Sequence, residues 1–231
     1  MKVTPIAYTY LLPTEAVFSE TPFGHRACAG DDADADLLAE YAGRQCYESW
    51  DLPNPQTAEN DKYLANILRQ KHESLLEHAS VTFKVEGVSR SLLLELERHR
   101  FLSFSVRSQR YVNEDESEIV IPPAVQSSVD HEMIEQKMRE HHALSRELYS
   151  EIFDEMSDEG YNTKQSREAA RAVLPGGTAT NFIVTGNLRC WRDVLSRRLS
   201  VAADAEMREF AVLIFEQLRE IAPNSMQALP E

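Results

Sequence analysis

The fifteen residues ERHRFLSFSVRSQRY (97–111) set Arg98, His99, Arg100, Arg107 and Arg110 among three serines and the rings of Phe101, Phe104 and Tyr111. They belong to the first of two windows rich in basic side chains. From Arg90 to Arg110 there are five arginines against Glu95 and Glu97, and from Arg167 to Arg198 six against Glu168 and Asp193. The chain as a whole carries a formal charge of −14. Eleven arginines less four carboxylates give the two windows +7, leaving −21 on the remainder. A solvated helix face usually mixes lysine with arginine, but neither window contains a lysine. The planar guanidinium fork suits phosphate, carboxylate and imide edges, so the pattern points to an anion-binding cavity.

Composition sets the frame. The 231 residues are 42% hydrophobic, enough for one sizeable core, and we expect a single domain over residues 1–231. In MKVTPIAYTYLLPTEAV the apolar run is interrupted by Thr, Pro and Glu, so it reads neither as a secretory signal nor as a membrane span. A cytoplasmic location is the expectation that follows. Cys28, Cys46 and Cys190 are odd in number and lack CxxC spacing, and are expected to be reduced packing residues. The acidic balance argues against general affinity for nucleic acid or for an anionic membrane.

The elements that must position the arginines follow from periodicity. DADLLAEYAGRQCYESW and DKYLANILRQKHESLLEHAS read as helices joined by the turn-rich DLPNPQTAEN. SVTFKVEGV alternates Val81, Phe83 and Val85 against Thr82, Lys84 and Glu86, a half-buried strand ending at Gly87. SRSLLLELERHR predicts a helix with its basic residues in the last turn, where the helix dipole favours them. FLSFSVRSQRY follows as a loop or extended stretch, and SEIVIPPAV as a strand cut off by its prolines. A long polar helix runs to Gly160, and SREAARAVLPGG gives a shorter one stopped by Pro175. TATNFIVTGN predicts a strand whose Asn187 caps the helix LRCWRDVLSRRLS, and DAEMREFAVLIFEQLREIAP supplies Phe210, Leu213, Ile214 and Leu218 to the core. Strands do not alternate regularly with helices, so the class is α+β rather than doubly wound.

Other chemistries fare poorly. His72 and His78 of HESLLEH lie about 240° apart on a helix of 3.6 residues per turn, whereas a zincin needs His at i and i+4. No metal is expected. His141 and His142 read as a solvated face of the long helix. LPGGTATN has neither the P-loop lysine nor dinucleotide-binding glycine spacing.

Arg98, His99 and Arg100, then seven residues, then Ser108, with Arg110 and Tyr111 following, resemble the signature of flavin-dependent thymidylate synthase. HESLLEH lies upstream, and ARAVLP and NLRCWRDVLSRRLS downstream, in that family's order, so the resemblance spans about Arg44 to Arg208. It implies an α+β fold of helices on a small mixed or antiparallel sheet, assembled as a homotetramer with active sites at subunit junctions. The implied reaction methylates dUMP to dTMP, with methylenetetrahydrofolate as donor, FAD as hydride carrier and NADPH as reductant. Flavin contacts are implied for Ser74, Arg98, His99, Arg100, Val106, Asn187, Leu188, Arg189 and Asp193. Nucleotide contacts are implied for Glu95, Leu96, Glu97, Arg98, Val106, Arg107, Ser108, Gln109, Arg110 and Arg171. Arg198 matches the arginine that holds the uracil edge, the catalytic role. No thiol nucleophile is expected, because none of the cysteines has the Pro-Cys-His setting of classical thymidylate synthase.

The chain departs from the family pattern in places. Val106 stands where Glu or Gln is common, Asp193 where His or Asn is, Ala202 where His is frequent, and Glu95 where some members have Gln. Singly, Arg110 and Arg189 could be ion-pair partners and Ser108 a turn residue. A different reading makes the arginines, Phe101, Phe104 and Tyr111 a single-stranded nucleic-acid platform, against which stands the repulsion of the remaining −21.

Overall fold

The structure, a computed structural model, describes residues 1–12, 21–28 and 32–229. Pro13, Thr14 and Glu15 of the N-terminal reading lie outside the described residues, as does the Cys28 side chain. Its centre is a four-stranded sheet of order β1-β2-β4-β3, made of β1 (Lys2–Tyr8), β2 (Ser80–Ser89), β3 (Ser103–Val106) and β4 (Ala179–Asn187). All its pairings are antiparallel. The helices are α1 (Pro22–Cys28), α2 (Asp34–Tyr47), α3 (Asn60–Gln70), α4 (Arg90–Leu96), α5 (Pro123–Gln126), α6 (His131–Asp158), α7 (Thr163–Ala170), α8 (Leu188–Arg198) and α9 (Ala205–Ile221). The architecture is α+β, as the irregular order of strands and helices predicts.

Register puts one apolar face inward. Val81 pairs with Gly186, Phe83 with Val184 and Val85 with Phe182, while β3 sets Phe104 against Val184 and Val106 against Phe182. On that face α8 lays Leu188, Trp191, Val194 and Leu195, and α9 adds Phe210, Ala211, Ile214 and Leu218, all fully buried. Trp191 meets Phe83 edge-on at 5.2 Å and donates its indole N–H to the Val81 carbonyl at 3.2 Å. Such aromatic pairs add about 1 kcal/mol beyond area burial. The outer face is polar, with the hydroxyls of Thr82 and Thr185 bonded across strands at 2.9 Å. Gly87, at φ 68°, sits at the β2–β4 register shift, where its N–H meets the Asn181 side-chain carbonyl at 3.0 Å.

The helix read across residues 61–80 is instead two pieces. Lys71 turns left-handed at φ 58° and closes α3, after which Glu73–Glu77 forms a single 3-10 turn. The helix read over residues 89–100 ends at Leu96, so Arg98, His99 and Arg100 lie beyond it in a turn rather than in its last turn. The strand read in residues 117–125 reduces to one bridge, Ile119 to Thr178, before Pro123 opens α5. β1 and β3 complete the sheet where the sequence reading had no strand and an open choice, respectively.

Two side chains depart from their expected settings. His142 is buried against residue 117, donating from Nε2 to the Ser117 carbonyl at 2.9 Å, rather than solvated. Cys46 is exposed rather than packed, while Cys190 is buried as expected. The C-terminal segment is held by buried Asp36, which accepts from the backbone N–H groups of Asn224 and Ser225, each at 2.8 Å. No described helix is long and apolar enough to cross a membrane.

Candidate active site

The first cluster forms where the end of α4 meets the end of α8. Leu96 and Leu102 are both buried, and between them the chain makes tight turns, His99 N–H to Leu96 O at 3.0 Å and Leu102 N–H to His99 O at 3.1 Å. That pins the His99 imidazole, itself only 9% exposed, against α8. The helix N-terminus is set by Asn187, whose side chain accepts from Cys190 N–H at 2.8 Å, so its C-terminal Arg198 arrives at a fixed depth. Arg198 donates from Nε to His99 Nε2 at 3.1 Å, from one terminal nitrogen to the Glu95 carboxylate at 3.0 Å and from the other to the Glu95 carbonyl at 3.2 Å. On its far side His99 faces Asp193 at 3.5 Å, and Asp193 also takes Arg197 at 2.8 Å. Burial, then the charge of Arg198, pushes the His99 pKa below its ordinary value, so the ring is neutral at pH 7. Arg98 and Arg100 flank it, exposed and with no ion-pair partner among the described residues.

A second cluster gathers residues 107–114 against α7 and Arg171. Arg107 donates to the Asn113 carbonyl at 3.1 Å and lies 3.6 Å from Glu114, which is fully buried. Burial raises the Glu114 pKa despite Arg107 and Arg90 beside it. Arg110 reaches Glu168 at 3.7 Å, and Ser108 shapes the turn by accepting from the N–H of Arg110, Tyr111 and Val112. Gln109 is half-buried in the same turn, and Arg171 is exposed. Val106 ends β3 at the edge of this cluster, paired with Phe182.

The third lies at the start of α8. Arg189 pairs with Glu77, in the 3-10 turn that also carries exposed Ser74. Glu97 is exposed next to the first cluster. Leu96 and Leu188 are sealed in the core, so any ligand contact from them is made by the main chain. Among the described residues no side-chain hydrogen bond or ion pair joins the three clusters, although Arg189 and Asp193 lie one turn apart on α8. Cavities of about 730 Å³, between β1 and α2, and about 620 Å³, beside His142 and Arg146, contain none of these residues.

Not every arginine of the two windows faces a ligand. Arg192 is buried and donates to the carbonyls of Ser225 (2.6 Å) and Gln227 (2.9 Å), and Arg167 donates to the Tyr111 carbonyl (2.6 Å). These two bind backbone oxygens, which corrects their reading as anion seats. Of the three aromatics read as a platform, Phe104 packs edge-on against Phe182 at 6.0 Å, whereas Phe101 and Tyr111 are exposed. Arg90 and Glu114 enter the second cluster without having been singled out, because each lies outside the Arg-His-Arg motif and Glu114 carries the opposite charge.

Comparison with known proteins bears on this geometry. A family model described as thymidylate synthase complementing protein matches residues 30–224. A probable flavin-dependent thymidylate synthase of Mycobacterium phage D29 is 51% identical over 206 residues, covering 87% of each chain. The flavin-dependent thymidylate synthase of Mycobacteroides abscessus is 44% identical over 201 residues, covering 84% of this chain and 79% of its own. A crystal structure of thymidylate synthase X from Helicobacter pylori with FAD and dUMP superposes with TM-score 0.63 over 98% of this chain and 99% of that one, at 22% identity, a likeness of fold.

The class is therefore that of thymidylate-forming enzymes. Within it, this chain belongs to the flavin-dependent thymidylate synthase family.

Proposed function

We propose that this enzyme methylates dUMP to dTMP with methylenetetrahydrofolate as one-carbon donor, FAD as hydride carrier and NADPH as reductant. It works in the cytoplasm as a homotetramer of single-domain subunits, each site completed between neighbours. The observation that carries the reading is the first cluster: Arg98 and Arg100, exposed guanidiniums with no ion-pair partner among the described residues, flank a buried neutral imidazole next to Arg198. Exposed cations without internal partners fit an anionic dinucleotide, and the neutral ring beside them fits a flat uncharged ring system. The exposure of Arg98, Arg100 and Arg171 in the single chain supports completion of the site by a neighbouring subunit.

Bound there, FAD supplies the hydride. The residues supply position and field. Arg198 uses one N–H on each of its three nitrogens internally, which leaves one on each terminal nitrogen for a pyrimidine carbonyl edge. Because His99 and Glu95 fix it beforehand, it stabilises negative charge on that edge without reorganising during the step. The second cluster, with Arg107, Ser108, Gln109, Arg110 and Arg171, holds the nucleotide phosphate. The third, with Ser74, Asn187 and Arg189, lies along the flavin. No covalent enzyme nucleophile takes part, a view supported at Cys190 by burial that pushes its pKa up to about 11.

Tritium release from 5-tritiated dUMP, in the presence of FAD, NADPH and methylenetetrahydrofolate, tests the reading. Wild type is expected to release tritium, and Arg198→Ala to lose at least about a hundredfold in rate. An unimpaired Arg198→Ala would move the uracil-activating role to another residue. A colourless protein that ignores FAD and dUMP would overturn the activity itself.

A further inference from the structure

Arg90 lies outside the residues that the family resemblance implies, yet it touches both halves of the second cluster. Its backbone is tied to the segment just after Arg171: Arg90 N–H donates to Thr178 O at 3.1 Å and Ser91 N–H to Gly176 O at 2.9 Å. The side chain crosses to the other half, where Nη2 donates to the Arg107 carbonyl at 2.8 Å. Arg107 is held in turn by its own N–H to Asn181 O at 3.0 Å.

Below these groups lies Glu114, 0% exposed, with neither carboxylate oxygen hydrogen-bonded. A buried carboxylate without such bonds is costly, and it persists here beside guanidiniums that would otherwise repel one another. Burial lowers the Arg90 pKa; Glu114 opposes that shift, and Arg107 and Arg171 add to it. Arg90 and Arg107 thus face the one buried carboxylate of Glu114, with Arg171 and Glu97 within electrostatic reach of Arg90, an excess of positive charge that a dianionic phosphate would offset.

We propose that Arg90 is a positioning residue for the nucleotide. It sets the register of residues 107–110 against Arg171, with Glu114 as the internal counter-charge, so that one phosphate is gripped from both halves. The inference rests on the proposed dUMP reading of this cluster.

The test uses the full-length enzyme with Arg90→Met, Arg90→Lys and Arg171→Ala, read by calorimetric dUMP affinity, FAD content and hydrogen exchange. Arg90→Met, nearly isosteric but without a donor, is expected to weaken dUMP about tenfold. FAD content is expected to stay unchanged, with faster exchange at residues 107–110 and unaltered exchange in β2 and β4. Arg90→Lys, which keeps a charged donor of similar reach, is expected to recover most of the affinity. If the Met variant does not fold, Arg90→Gln, too short to reach the Arg107 carbonyl, takes its place with the same expected loss. Normal dUMP binding in the Met or Gln variant, with loss in Arg171→Ala, overturns the role of Arg90 and leaves the nucleotide reading standing. Normal binding in all variants overturns both.

Discussion

Arg198 and His99 share one hydrogen bond, Nε to Nε2 at 3.1 Å, and its direction fixes the histidine tautomer. A guanidinium can only donate, so Nε2 must accept and the ring proton sits on Nδ1, facing Asp193 at 3.5 Å. The imidazole is thus a fixed dipole between the base that would share its proton and the cation that resists its charging.

Stability should therefore depend on pH in a definite direction. The His99 pKa is depressed below 6.5, so between its folded value and 6.5 the unfolded chain binds the proton and the native one does not. The His99 contribution is fully present above 6.5 and is lost as pH falls through the folded pKa. Melting temperature should decline on acidification in that window, and His99→Asn should show a shallower decline when both are scanned from about pH 8 to pH 5.

The two neighbours of His99 pull in opposite senses. Asp193→Ala removes a group that raises the His99 pKa and should lower its titration further, whereas Arg198→Ala removes a lowering charge and should raise it. Imidazole NMR titration of both variants reads the two signs, and shifts in the same direction would contradict the assigned geometry.

Thiol chemistry offers a separate check. Cys46 is exposed and should alkylate quickly, while Cys190, its pKa near 11 and its side chain buried, should react slowly unless the protein opens. Replacing Cys28, Cys46 and Cys190 together by Ser or Ala should leave turnover measurable. Activity lost through one thiol, with folding intact, would refute the absence of a covalent nucleophile.

A packing prediction concerns Gly186, beneath Trp191. A Cβ there would stand 2.6 Å from the Leu102 side chain and 3.2 Å from the Trp191 ring. Gly186→Ala should destabilise by about 1–3 kcal/mol, seen as a lower denaturation midpoint. Because Leu102 follows the His99 turn, flavin retention should fall with it.

Where a pattern was long, the sequence spoke clearly. β2 alternates from Ser80 to Glu86 before its register shift, β4 alternates over its 9 residues, and Asn187 caps α8 as its type and place predict. β3 has the same alternation, with Phe104 and Val106 half-buried and Ser103 and Ser105 out, but over only four residues inside a motif that reads as a loop. β1 is an edge strand carrying Pro5, a residue that counts against strand in sequence. The break after α3 rests on a lysine in a left-handed conformation, with no glycine to announce it. The site divides in the same way. The Arg-His-Arg motif and Arg198 are legible by type and order, whereas the Arg90 link and the inward turn of Arg192 depend on pairings across more than fifteen positions of chain.

Arg192 has a consequence that reaches the far end of the molecule. It lies on the same helix as Arg198 and anchors that helix through the carbonyls of Ser225 and Gln227. A proteolytic nick just ahead of Ser225 would leave the buried Arg192 without its carbonyl partners and loosen the helix that carries Arg198, the residue proposed to activate the pyrimidine. Loss of this tail would then silence catalysis with every catalytic side chain still present.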